Sequence, residues 1–202
     1  MVKRESTTEQ SRNSFAFAVL SRPGMGKFGI LVFGIVILGL GLASHFDSHW
    51  RTLNTKTSVC KQFKDAQSSV AVQLPACPPF SMEEYFVSMI IICFILSSGA
   101  LIISVLIDTS KGVHLYIDAG YHAVATLLLF IAGAVYTASG AQIRNLEQIS
   151  GIPGGVVTLR SGEKIAAGVL TIIYALMYGA VAFLILKGDK LASHPDSVVS
   201  LN

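Results

Sequence analysis

The sequence predicts an all-α membrane protein, an antiparallel bundle of four transmembrane helices. Three observations carry this. Of 202 residues, 52% are hydrophobic and only 13% are charged, about half the charged share of an ordinary soluble domain. The mean hydropathy is +0.61. The apolar residues also gather into four runs of bilayer length, since a hydrocarbon core of about 30 Å takes roughly 20 helical residues. The same composition speaks against a disordered chain and a disulfide-dense miniprotein. A net charge of +3 without a basic patch speaks against a nucleic-acid partner.

Residues 1–27 read as a polar N-terminal tail carrying Lys3, Arg4, Glu5, Glu9 and Arg12. No secretory signal peptide is expected there. A short apolar patch, Phe15, Phe17, Val19 and Leu20, reads as an interfacial segment, broken by Arg22-Pro23-Gly24. The transmembrane domain covers 28–188, with spans at about 29–46, 85–107, 118–140 and 165–186. Barrel strands would be about ten residues long with alternating polarity, whereas Tyr85 to Ile107 holds no charge at all. Residues 189–202 read as a C-terminal tail.

Four spans place both tails and the short loop 108–117 on one side, and the longer loops 47–84 and 141–164 on the other. The positive-inside rule hardly decides between the sides. Lys3, Arg4, Arg12, Arg22, Lys27, Lys111, Lys187 and Lys190 face Arg51, Lys56, Lys61, Lys64, Arg144, Arg160 and Lys164. The cysteines decide it. Cys60 and Cys77 both lie in the first loop, and a disulfide between them needs an oxidising compartment. Closing a loop of that size is worth about 3 kcal/mol in the chain-entropy account; the alternative is two free thiols. The tails are therefore expected in the cytoplasm. Cys93, in mid-span, reads as a small packing residue.

Lipid tails do not drive apolar helices together, so close packing of small residues must do much of it. Each span carries such a stripe: Gly34 and Gly41 in the first; Cys93, Ser97, Ala100 and Ser104 in the second; Ala119, Ala123, Thr126, Gly133 and Thr137 in the third; Gly168, Thr171, Ala175, Gly179 and Ala182 in the fourth. These spacings put each set on one helix face and suit a left-handed antiparallel bundle. Contact within the monomer is the preferred reading, with an oligomerisation seam as the alternative.

Few residues offer chemistry. His45, Asp47 and His49 read H-x-D-x-H at the end of the first span, a residue set able to hold Zn²⁺ or Cu²⁺. An interfacial polar cluster beside the belt residue Trp50 is preferred, so no metal and no cofactor is assigned. Asp118 and His122 open the third span, where a first-turn carboxylate suits the helix dipole. Ionisable groups inside a membrane are functional candidates, but these read as interfacial. Glu83 and Glu84 read as a solvated entry to the second span. With no second acidic residue deep in a span, an ion relay has no chain of partners, which argues against a pump or coupled transporter. Val70, Val72 and Leu74 alternate with polar or small residues; with Val156, Val157 and Leu159 they would make a small extracellular β element. No catalytic constellation is found.

The entry LSRPGMGKFGILVFGIVILGLGLAS, the third span VHLYIDAGYHAVATLLLFIAGAVYTASGAQI and the fourth, EKIAAGVLTIIYALMYGAVAFLILKG, resemble the MARVEL-domain proteins, which include the MAL, physin, gyrin and occludin groups. The resemblance covers about residues 19–188. It implies a four-helix domain with cytoplasmic ends, acting without enzymatic activity in membrane apposition, cell junctions or vesicle trafficking. The claudin and peripheral-myelin-protein type is the runner-up, but its tryptophan-bearing loop motif is absent, Trp50 being the only tryptophan. The expectation is an integral membrane organiser of the plasma or vesicle membrane. Its partners would be membrane lipids and either copies of itself or other membrane proteins. The alternative is an accessory subunit of a larger channel or respiratory-type complex.

Overall fold

The computed structural model describes residues 22–48, 78–106, 113–150 and 160–192. They form four helices: α1 (Arg22–Phe46), α2 (Ser81–Leu106), α3 (Val113–Ser150) and α4 (Ser161–Ala192). Each is long and apolar enough to cross a membrane, the pattern of a multi-pass integral membrane protein, and there is no strand among the described residues. The interfacial patch at 15–20, Cys60, Cys77, His49, Trp50, both expected strand segments and the end of the C-terminal tail lie outside the described residues.

The helices overrun the spans read from hydropathy. Arg22-Pro23-Gly24, expected to break the chain, forms the first turn of α1. Proline is tolerated there because a first-turn N–H has no helical partner, so Lys27 belongs to the helix rather than to a tail. Pro78 and Pro79 precede α2, whose first turn is set by Met82 N–H donating to the Pro79 carbonyl and by Glu83 and Glu84 N–H donating to Phe80. Before α4, Arg160 adopts a left-handed φ of 51°, and its carbonyl accepts the Lys164 N–H at 3.0 Å. Lys164, expected in a loop, is therefore a first-turn helical residue.

The chain divides into two compact units, each containing a segment of all four helices. The first holds residues 22–34, 92–106, 113–127 and 174–192. Consecutive helices run antiparallel in it: Lys27, near the start of α1, meets Ser104 near the end of α2 and Asp118 near the start of α3. Its core includes Ile30, Cys93, Ala119, Ala125, Tyr174, Ala175 and Tyr178. Gly34 is required by close approach, because a Cβ there would lie 2.5 Å from the Tyr174 hydroxyl and 2.9 Å from Phe94.

The second unit holds residues 35–48, 78–91, 128–150 and 160–173. Ile37, Phe86, Ile90, Leu129, Ala132, Tyr136, Ile143 and Ala167 form its core, with Phe86 and Tyr136 stacked at a centroid distance of 3.8 Å. Its tightest seam joins α3 to α4. A Cβ on Gly168 would lie 2.8 Å from the Gly133 carbonyl oxygen and the Thr137 nitrogen, and one on Gly133 would lie 2.7 Å from the Gly168 oxygen. At such positions helix backbones meet directly, which only small residues allow.

The small-residue stripes fare unequally. Gly34, Gly41, Cys93, Ser97, Gly133, Gly168, Thr171, Ala175 and Ala182 are buried, and Ala100, Ser104, Thr126, Thr137 and Gly179 are half-buried. Ala123 corrects the third stripe: it is exposed, because the inward face of α3 runs through Ala119, His122 and Ala125. Gly179 is looser than expected, since a Cβ there would meet Thr126 at an ordinary 3.4 Å.

Candidate functional site

The seams carry charge as well as small residues. In the first unit Lys27 on α1 donates to Asp118 Oδ2 on α3 at 2.5 Å and to Ser104 Oγ on α2 at 2.7 Å. His122, one turn on from Asp118, places Nδ1 2.8 Å from the Asp118 carbonyl and 3.3 Å from its Oδ1. The three side chains are 7%, 11% and 2% exposed. The interfacial reading of Asp118 and His122 therefore changes: they are inward-facing members of an ionic centre tying α1, α2 and α3.

Beside this centre lies a chain of hydroxyls. Ser97 Oγ touches both Tyr121 OH, at 2.8 Å, and Tyr178 OH. Tyr178 OH lies 3.3 Å from Tyr174 OH, and Tyr121 OH reaches the Cys93 carbonyl at 3.1 Å. Each hydroxyl has one proton to give. Donation from Tyr174 to Tyr178, to Ser97, to Tyr121 and then to the Cys93 carbonyl satisfies them all. The rings of Tyr178 and His122 lie beside one another, centroids 5.6 Å apart.

The second unit repeats the chemistry with other residues. Lys164 on α4 donates to Glu83 Oε1 on α2 at 2.7 Å, and His45 Nδ1 on α1 lies 3.2 Å from Glu83 Oε2. Glu83 and Lys164 are both 0% exposed. The solvated reading of Glu83 is thus overturned. The carboxylate starts α2 but faces α1 and α4, which carry its two donors, whereas its neighbour Glu84 points outward. The Lys164 ammonium also lies 5.6 Å from the Tyr136 ring centroid. Tyr136 OH meets Ser44 Oγ at 2.8 Å, and Ser44 donates to the Gly41 carbonyl, so α3 joins the same group. Ser139, one turn further along α3, is fully buried and its hydroxyl has no protein partner.

At the rim of this unit, Arg160 Nη1 lies 2.9 Å from Glu163 Oε2 and 3.6 Å from Asp47 Oδ2. This separates the expected H-x-D-x-H set. His45 turns inward to Glu83 and stacks on Phe80, while Asp47 stays exposed beside Arg160. Among the described residues no three His, Cys, Asp or Glu side chains come together as a metal-binding group.

Both centres thus hold one carboxylate, one ammonium and one imidazole. The carboxylate and the ammonium of each centre balance in charge. Ions removed from water cost several kcal/mol each unless paired and hydrogen-bonded, and each carboxylate oxygen of Asp118 and of Glu83 lies within 3.3 Å of a nitrogen. Lys27, Glu83 and Lys164, assigned by hydropathy to the tail and loops, are thus buried partners within the bundle. As chemistry, the arrangement fixes helix register and neutralises charge in an apolar interior. No family model, no curated protein and no solved structure matches this chain.

Proposed function

We propose that this chain is a non-enzymatic integral membrane organiser of the MARVEL-like kind, working by lateral association with copies of itself or with other membrane proteins. One observation carries the reading. The inward-facing charged groups Lys27, Asp118, Glu83 and Lys164 are matched to one another inside each unit, and between the exposed charges near the helix ends the membrane-facing surfaces carry side chains such as Ile35, Ile95, Leu127 and Leu176, 61%, 62%, 66% and 61% exposed. Buried charges that are costly to break from one side stay committed to the interior, and an apolar exterior suits lipid and helix–helix contact. The plasma or vesicle membrane, with both termini in the cytoplasm, is the setting that agrees with the cysteine-bearing first loop.

Isolation in mild detergent tests this. Self-oligomers, or a variable set of membrane partners, are expected. A fixed stoichiometric complex with other subunits would replace the organiser by an accessory subunit. In sealed right-side-out vesicles, terminal tags should survive external protease, and loss of either tag would reverse the orientation.

A further inference from the structure

The part of α1 free of ionisable residues, between Lys27 and His45, is short: about 26 Å at the helical rise. Read from those residues alone, it fits a thin bilayer. The structure removes both limits, because Lys27 and His45 are 6% and 4% exposed and are paired inward. On the outer face of α1 the exposed apolar side chains begin at Met25 and end at Phe46, a length of about 33 Å. The same holds for α4. Lys164 is turned inward, and the outward face stays apolar between the exposed Glu163 and Lys187, about 34 Å. On α2 the band starts after the exposed Glu84 and is still present at Ile103, at least about 28 Å. On α3 the band starts after the exposed His114, and large exposed apolar residues run from Tyr116 to Ile131, about 24 Å. Small alanines, Ala134, Ala138 and Ala141, then continue to the exposed Arg144, so this helix sets no tighter limit.

Transmembrane helices tilt by about 20° on average, which shortens a 33 Å band to about 31 Å. We infer that the lipid-facing surface of this chain is matched to a bilayer with a hydrocarbon core of about 30 Å or more, rather than to one of about 27 Å such as that of the endoplasmic reticulum. The inward pairing of Lys27, His45 and Lys164 makes the difference. An unpaired lysine would have to extend to the headgroups and would end the apolar band at its own level. The inference rests on the membrane reading and adds the kind of bilayer.

The test reconstitutes the full chain in phosphatidylcholine vesicles of stepped acyl-chain length, with cores from about 23 to about 34 Å, around the bilayer average. The readout is the thermal midpoint of helix loss. The midpoint is expected to peak in the members of about 30–34 Å and to fall by several degrees in the thinnest. A peak at about 27 Å or below, or a flat profile, would overturn the inference while leaving the membrane reading intact. Failure to insert into any vesicle would remove both. Asp118→Asn takes away the counter-charge of Lys27 and should move the peak one step thinner; an unmoved peak would show that the pairing does not set the band. Should that variant not fold, the wild-type profile decides alone.

Discussion

Lys164→Met keeps a long unbranched side chain and deletes the ammonium. Glu83 would then be a fully buried carboxylate with His45 at 3.2 Å as its one remaining donor. Breaking a buried ion pair from one side costs about 3–5 kcal/mol, because an uncompensated charge is left behind. The hydrogen bond itself is the smaller part, as such bonds between transmembrane helices average about 0.6 kcal/mol. At about 2–4 °C per kcal/mol for a chain of this size, the thermal midpoint in mild detergent should fall by about 6–20 °C. Glu83→Gln alone should also destabilise, since it strands the ammonium. The double variant leaves neither charge stranded and should recover more than half of the Lys164→Met loss, because replacing both partners is often close to neutral. Circular dichroism melts of the four proteins close a double-mutant cycle. A single-variant loss below about 1 kcal/mol, or a double variant equal to the sum of the singles, would refute the claim that these two charges neutralise each other in the interior.

Gly168→Ala puts a Cβ 2.8 Å from the backbone of α3 and should cost about 1–3 kcal/mol by overpacking. Gly179→Ala meets only Thr126 at 3.4 Å and should be neutral or stabilising by up to about 1 kcal/mol through helix propensity; melts showing the reverse order would displace the α3–α4 seam. Tyr178→Phe, which cuts the hydroxyl chain at its middle, should cost about 1–2 kcal/mol and more than Tyr174→Phe at its end; equal melts of the two variants would dissolve the chain as a unit. Thiol labelling of the denatured, unreduced protein should tag Cys93 alone, and labelling of all three cysteines would exclude the Cys60–Cys77 bond.

The four helices were legible because bilayer length and apolarity are one-dimensional properties of a sequence. The ionic centres were hidden by their position. Lys27, Glu83 and Lys164 stand at the margins of apolar runs, where a charge reads as solvated. What turns them inward is register. The second stripe, Cys93, Ser97, Ala100 and Ser104, steps back through Ile90 and Phe86 to Glu83. The fourth, Gly168, Thr171 and Ala175, steps back to Lys164. In the first, Gly34 and Gly41 lie one and two heptads beyond Lys27. Extending each stripe past its last small residue would have placed every one of these charges on the packed face. Pairing between helices was not legible, because no local pattern says that Glu83 of one stripe meets Lys164 of another.

The ionic centres also bear on how the chain is made. Lys27 and Asp118 are 91 residues apart, and Glu83 and Lys164 are 81 apart. At about 5–20 residues per second, translation leaves α1 without its counter-charge for roughly 5–20 s, and α2 for nearly as long. During that interval a lysine and a glutamate without their opposite charges stand on helices already made, where staying near the headgroups or shelter by the insertion machinery limits the cost. Neither helix can settle to its final depth when it emerges. Full charge pairing of the first awaits the third, and that of the second awaits the fourth, so a nascent chain stopped before Lys164 would carry its second helix with only His45 to meet Glu83.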